Sequence, residues 1–426
     1  MKNLFFPAVF GSVFLLTLLS CSKEDKEFPV IDAKFSAQKE MYFVGDTLLM
    51  FGTYTDNKGI ASVRVDLVND ESMVYASADA YRTGKPQKKL YLPHIIILND
   101  STIQSGVYRL RITVNDGTNE SVRYLGVNVT GIPKRLNGWM IYDEDNGLIR
   151  IRTVDSLYQM NDFFTTSGNL IAFGYQSVKK QVYIADNTAL TMTAYKYPDM
   201  SSQWTHSPLY PFFSFAQTDS LVFTGTYDGM IRGFDFSGAV KFTGNTLMSG
   251  VFPVKILCVN NFVYSIQTNP TGGVYLVVYN LQTGQIVQST TLSFLPVDMC
   301  KCDNSSIFLL KQNAATATIY QYSITNNSVF LLKQINESCM SMCYLEDKHI
   351  VVGGTGYVFD YRYTINSATL AFYMPQVRRM YFDPLTGTLA GVNNQKVFFT
   401  SKTFQNVRVI LLNSSNKCGI LPMYNK

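Results

Sequence analysis

Pro211-Phe212-Phe213-Ser214-Phe215, Leu221-Val222-Phe223-Thr224, Met230-Ile231-Arg232-Gly233-Phe234 and Val240-Lys241-Phe242-Thr243 are four short apolar runs separated by polar turns. Each is rich in β-branched and aromatic residues, the mark of a strand, and none is long enough for a helix. The unit repeats. Pro211, Pro253, Pro296 and Pro375 each follow an aromatic or aliphatic residue and precede a strand-like run, at spacings of 42, 43 and 79, the last being two intervals. Four strands per forty-odd residues is the period of a β-propeller blade.

Repeats of this kind run from 171 to 211, 212 to 253, 254 to 296, 297 to 338, 339 to 375 and 376 to 412. Before them, Trp139–Tyr142, Leu148–Ile151 and Leu157–Met160 supply three strands; after them, Cys418–Tyr424 supplies one. Joining the tail to the first three strands closes a seven-bladed ring and removes the sheet edges that would otherwise stay open. Six and eight blades are the alternative counts. The Gly-His and Trp-Asp dipeptides of WD40 blades are missing, and no kelch pattern is present.

Ahead of Gly131-Ile132-Pro133-Lys134 the pattern changes. Met41–Val44, Leu48–Tyr54, Ala61–Leu67, Val107–Val114 and Arg123–Val129 alternate apolar and polar residues, with turns at short intervals. About seven such strands in roughly a hundred residues make an immunoglobulin-like sandwich the economical expectation. Thr55-Asp56-Asn57-Lys58-Gly59-Ile60 is similar to a phrase of PKD-like bacterial modules, a resemblance that implies a polar hairpin tip there.

The composition agrees with an all-β chain. Of 426 residues, 16% are charged and 46% apolar, with 27 Tyr and 29 Phe against 2 Trp and 3 His. The net charge of +5 includes no basic block beyond doublets such as Lys88-Lys89 and Arg378-Arg379, so nucleic acid is not an expected partner.

Catalytic patterns are missing. His94, His206 and His349 are scattered, and neither a metal-spaced His pair, a nucleophile elbow nor a phosphate loop occurs. No cofactor or metal is expected, and the chain reads as a binding protein rather than an enzyme. Asp143-Glu144-Asp145-Asn146-Gly147 is the densest acidic run. A hairpin with Asn-Gly at its tip explains it without calcium, since no bidentate Glu follows where an EF-type loop needs one.

Two sets of residues are candidate ligand contacts. Aligning the first strands of the blades brings Phe213, Lys255, Asp298, Ser341 and Arg378 to equivalent places, so Lys255, Asp298 and Arg378 form a charged ring if they face the channel. Mutual ion pairing and ligand binding both account for such a ring. The second set is the loop Trp204-Thr205-His206-Ser207-Pro208-Leu209-Tyr210, whose Trp204, His206 and Tyr210 could stack on sugars or peptide side chains or cap the blade junction. Cys258, Cys300, Cys302, Cys339, Cys343 and Cys418 all fall on first strands, where small buried thiols suit the crowded centre. Disulfides and a metal or redox site are the alternatives.

The N-terminus carries an address. Lys2 precedes an apolar stretch, Leu4–Leu19, that is interrupted by Pro7 and Gly11 and ends in Leu18-Leu19-Ser20-Cys21. It is too short and broken for a transmembrane helix and reads as a removable signal. Leu-Leu-Ser-Cys resembles the bacterial lipobox, which implies lipidation of Cys21 and membrane anchoring through its acyl chains. Ser22-Lys23-Glu24-Asp25-Lys26-Glu27 is a charged tether, similar to the export signal of Bacteroidetes surface lipoproteins. Asp46, Asp100, Asp155 and Asp219 open triplets resembling the O-glycosylation pattern of that group.

The phrases Val44-Gly45-Asp46-Thr47-Leu48 and Gly106-Val107-Tyr108-Arg109-Leu110-Arg111-Ile112 are similar to those of PKD-like bacterial modules. The mature chain as a whole resembles the PKD-like-family surface lipoproteins of Bacteroidetes. The expected organisation is a signal at 1–20, lipidated Cys21 and tether at 21–27, an Ig-like (PKD-like) β-sandwich at 28–131 and a β-propeller at 135–426. The resemblance implies an outer-membrane, outward-facing protein that binds an extracellular glycan or protein, accessory to nutrient uptake beside a transporter complex. A structural spacer or assembly partner is the alternative. A propeller hydrolase or lyase is the weaker third reading, because it needs convergent His and carboxylates.

Overall fold

The computed structural model describes residues 26–37, 39–70, 73–100, 103–412 and 417–425. The signal stretch and Cys21 lie outside the described residues. Strands make up nearly all the regular structure, and the chain divides into two compact units, one up to Pro133 and one from Lys134.

The first unit contains β1 (Val30–Phe35), β2 (Tyr42–Phe43), β3 (Thr47–Val68), β4 (Val74–Ser77), β5 (Tyr81–Ile97), β6 (Gly106–Asn115) and β7 (Glu120–Thr130). They form one connected sheet in the order β1-β3-β6-β7-β2, with β4 and β5 also paired to β3. Alternation along β3 and β6 buries Leu48, Met50, Tyr54, Val63, Val65, Leu67, Leu110, Ile112 and Val114 in a single core, as the period of a strand demands.

Two expectations change here. The segment 55–60 is not a hairpin tip: the runs on either side of it belong to the single strand β3, whose pairing with β5 shifts register between Thr55 and Ile60. The Asp56 carboxylate accepts hydrogen bonds from the backbone N–H groups of Lys58 (2.8 Å) and Gly59 (2.9 Å) and so holds a bulge. Gly59 has φ +107°, and a Cβ there would lie 2.9 Å from Pro86, so the bulge needs glycine. The strand β5 escaped the pattern reading because Gly84, Pro86 and Pro93 interrupt it. It pairs only with β3, and an edge strand tolerates proline.

The second unit is a seven-bladed β-propeller of four-stranded antiparallel sheets. In blade 1 the C-terminal strand Lys417–Tyr424 lies innermost and pairs with Leu136–Asp145, which is followed outward by Leu148–Val154 and Met160–Ser167. Blades 2 to 7 begin with the innermost strands Leu170–Gln176, Phe212–Gln217, Phe252–Val259, Asp298–Lys301, Cys339–Glu346 and Arg379–Asp383. Each innermost strand touches the next, and Lys417–Tyr424 touches both Arg379–Asp383 and Leu170–Gln176. The ring therefore closes as the repeat count implies, with chain ends from both sides of the unit sharing one sheet.

The outer strand of blade 1 starts at Met160, later than the expected Leu157–Met160 run. The Asp155 carboxylate accepts from the N–H groups of Leu157 and Gln159, both at 2.9 Å, and Tyr158 takes φ +63°. Those residues are spent on a turn.

Aromatic residues pack blade against blade. Phe242 meets Tyr279 across blades 3 and 4, Tyr264 meets Tyr322 across 4 and 5, Phe308 meets Tyr361 across 5 and 6, and Trp139 meets Phe399 across 1 and 7. All eight are buried, and their ring centroids lie between 5.7 and 6.3 Å apart. The tilted or edge-to-face geometry suits the ring quadrupole, and it accounts for much of the Tyr and Phe excess.

Candidate functional site

The innermost strands converge on a channel whose mouth lies at their entry ends. A cavity of about 350 Å³ opens there, and Lys255, Asp298, Arg378, Arg379 and Lys417 line it beside Tyr142. The three residues expected to form a charged ring thus share one cavity. Arg379 and Lys417 join them. Arg379 was legible only as the second member of a basic doublet, and Lys417 as the residue before the closing strand.

The charges are unbalanced. Asp298 accepts a hydrogen bond from the Met342 backbone N–H at 2.7 Å. Lys417 donates to Glu144 (3.0 Å), to the Asn169 side chain (2.6 Å) and to the Leu170 carbonyl (2.9 Å). The side chains of Lys255, Arg378 and Arg379 make no hydrogen bond or ion pair with any described residue. Burial pulls the Lys255 ammonium below the ordinary lysine value; nearby Asp298 opposes that pull, and Arg379 adds to it.

Ser341 does not face this channel. Its hydroxyl is buried and donates to the Val377 carbonyl at 2.8 Å, and Ser214 does the same to Pro253 at 2.8 Å. A Cβ on the facing Gly353 or Gly225 would fall 2.5 or 2.3 Å from those hydroxyls. These serines seam neighbouring blades. Phe213 instead sits at the rim, exposed, with its ring 4.7 Å from Phe252 and 5.6 Å from Tyr227.

The Trp204 loop divides. Trp204 stacks on Phe234 at 5.8 Å, and its indole N–H donates to the Phe236 carbonyl at 3.0 Å. A Cβ on Gly238 would lie 2.8 Å from the indole, so a neighbouring turn covers one face of it. His206 packs on the same Phe234 at 4.7 Å, and burial holds its imidazole below the usual value. Of the three aromatic candidates only Tyr210 is exposed, at 45%. Trp204 and His206 therefore cap the junction of blades 2 and 3 and offer no free stacking face.

The acidic run 143–147 is a hairpin with Asn146 (φ 52°) and Gly147 (φ 77°) at its tip. Asp143 is fully buried; it accepts from Arg150 Nε at 2.7 Å and also from Arg152. These carboxylates are occupied by arginines and by Lys417. Among the described residues no group of His, Cys, Asp or Glu is arranged to hold a metal.

All six described cysteines are free thiols, and all but Cys258 are buried. Burial pushes the thiols of Cys302 and Cys418 up to about 11, and those of Cys339 and Cys343 to about 12. They stay protonated at neutral pH and are poor nucleophiles. His94, in the first unit, accepts or donates a 2.8 Å bond with the Tyr54 hydroxyl inside the core. His349, read from the sequence only as a scattered histidine, lies between Glu346 (3.1 Å) and Asp360 at the opposite end of blade 6 from the mouth.

No protein-family model matches the chain, and no curated protein matches it either. Among solved structures it is similar to BamB from Moraxella catarrhalis, at 14% identity and TM-score 0.42, over 72% of this chain and 98% of that one. It is also similar to Sqt1 from Saccharomyces cerevisiae, at 12% identity and TM-score 0.46, over 69% and 91%. The Cps50 (Swd1) β-propeller domain of Myceliophteria thermophila gives 8% identity and TM-score 0.44, over 61% and 96%.

Proposed function

We propose that this chain is a lipid-anchored, non-catalytic surface protein whose propeller binds an anionic extracellular ligand, glycan or protein, at the channel mouth. One observation carries the reading: Lys255, Arg378 and Arg379 share a cavity with a single Asp298 and have no side-chain partner. Like charges gathered against protein walls cost free energy that a bound anion offsets, and the same field draws anions in.

The remaining features fit that role. The Leu18-Leu19-Ser20-Cys21 lipobox supports anchoring through acylated Cys21, and the charged tether supports an outer-membrane address facing outward. The first unit, taken as an Ig-like (PKD-like) sandwich over 28–131, follows the tether in the chain and precedes the propeller over 135–426. Ligand capture beside a transporter complex then makes the protein accessory to nutrient uptake.

The test is binding of polygalacturonate and polyglutamate, against neutral dextran, by calorimetry at low salt. Both anions are expected to bind and dextran not to, with affinity falling as salt rises. Lys255→Glu should weaken both anions by about tenfold or more, since one lost charge contact in a partly dry site is worth about 1.4 kcal/mol. Failure of both anions to bind the native protein overturns the reading.

A further inference from the structure

Beside the cationic mouth lies an apolar rim. Phe213, Tyr227 and Phe252 form a mutually packed trio, with centroids 4.7, 5.1 and 5.6 Å apart and planes tilted by 31 to 34°. Phe213 and Tyr227 are exposed. Leu209, Tyr210, Met248 and Leu295 are exposed as well, and all lie in the connections that lead from an outer strand into the next innermost strand of blades 3, 4 and 5. Such connections sit on the face where the innermost strands begin, which is the face of the mouth.

The two features share an element. Phe252 opens the innermost strand of blade 4, and Lys255 stands three residues further along it, about 10 Å deeper at the rise of a strand. A ligand crossing the rim therefore meets aromatic and aliphatic side chains first and ammonium and guanidinium groups next.

This order selects among anions. A sugar platform needs a flat, open aromatic face, whereas here the rings lean on one another and the connections into blades 3, 4 and 5 expose leucines and a methionine on the same face. Leucine and methionine surfaces bury apolar side chains well and hydroxyl-bearing rings poorly. Resting on the anion-binding reading of the mouth, we infer that the ligand is an extended protein segment in which aromatic or aliphatic residues sit next to acidic ones. Its apolar side chains cover the Phe213–Tyr227–Phe252 trio, and its carboxylates enter the mouth against Lys255, Arg378 and Arg379. Aromatic anchors beside a charged pocket are the usual energetic centre of such a contact.

A displayed library of random dodecapeptides, selected on the purified full chain, tests this. The expected winners combine acidic with aromatic or aliphatic residues. A winning peptide should lose about tenfold or more in affinity on Phe213→Ser or Tyr227→Ser and likewise on Lys255→Glu. Polygalacturonate should lose affinity only on Lys255→Glu. Both rim residues are exposed, so thermal melting of the two serine variants should match the native protein, and either one suffices if the other unfolds. Winners that are basic, purely acidic, or indifferent to both serine variants overturn the peptide inference while leaving anion binding in place. Loss of polygalacturonate and peptide binding together, in the native protein, strikes the anion reading itself.

Discussion

The acidic hairpin of blade 1 and the channel mouth use the same residue types to opposite ends. In the hairpin, Asp143 is wholly buried between Arg150 and Arg152, and Arg152 also donates to Asp162 at 2.8 Å, so every charge has a counterpart. At the mouth, three cations surround one aspartate and none of the three has a side-chain partner. Lys417 stands on the border: it lines the mouth yet is tied to Glu144 of the hairpin at 3.0 Å. Balanced charge in a protein interior is spent on holding strands together, while unbalanced charge is left for something outside the chain.

The largest effect should come from unbalancing the hairpin. Asp143→Ala leaves two partly buried guanidinium groups facing each other without their acid, which costs about 3 kcal/mol. Thermal melting should fall by about 5 °C or more, while any surviving folded protein keeps its affinity for polygalacturonate. A variant that melts like the native protein would mean the hairpin charges are no more structural than those of the mouth.

The mouth predicts the reverse pattern, on a smaller scale. Lys255→Met removes an ammonium that burial already disfavours and replaces it with an apolar chain of similar length. Melting should stay level or rise, and affinity for polygalacturonate should drop by about tenfold. Such a trade of stability against binding is the signature of a site kept for function. A fall in melting temperature comparable to that of Asp143→Ala would place Lys255 among the structural charges.

How much of this contrast was legible follows from what a repeat does and does not encode. The prolines at 211, 253, 296 and 375 and the four-run period show through because every blade solves the same packing problem. The closing strand was legible because an incomplete first blade demands a partner. Lys255, Asp298 and Arg378 came together because each stands at or near the entry end of an innermost strand. The pattern could not distinguish a cation with a partner from one without. Glu144 reaches Lys417 only once the tail strand lies beside blade 1, a contact spanning 273 residues. Ser341 was misplaced because its buried hydroxyl bonds the Val377 carbonyl at the entry to the next blade, a partner that lies 36 residues on in the chain. Trp204 looked like a platform because the turn that covers it, at Gly238, belongs to the next blade.

The smallest expected effect concerns the far end of blade 6, and it separates stability from binding by pH. The hydrogen bond to Asp360 raises the His349 pKa above the ordinary imidazole value, burial opposes it and Glu346 adds to it. Burial would raise the Asp360 carboxyl, but the His349 bond and charge outweigh it, with Arg362 also contributing, and its pKa ends lowered. Glu346 is held in turn by Lys402. A raised histidine contributes stability that is complete below its unfolded value and lost as pH rises through the folded one. A lowered aspartate contributes stability that is complete above its unfolded value and lost as pH falls through the folded one. The pair is therefore fully engaged between about pH 4 and pH 6.5. Melting temperature should decline modestly from pH 6 to pH 8, by less than the Asp143→Ala shift, and His349→Gln should flatten that decline because an amide does not titrate there. The innermost strand of blade 6 runs from the mouth face to this hairpin, so the titrating pair lies at the far end of the propeller strands from the cations of the other blades. Polygalacturonate affinity should accordingly stay level over the same pH range in both proteins; an affinity that tracks the histidine would join the two ends and undo their separation.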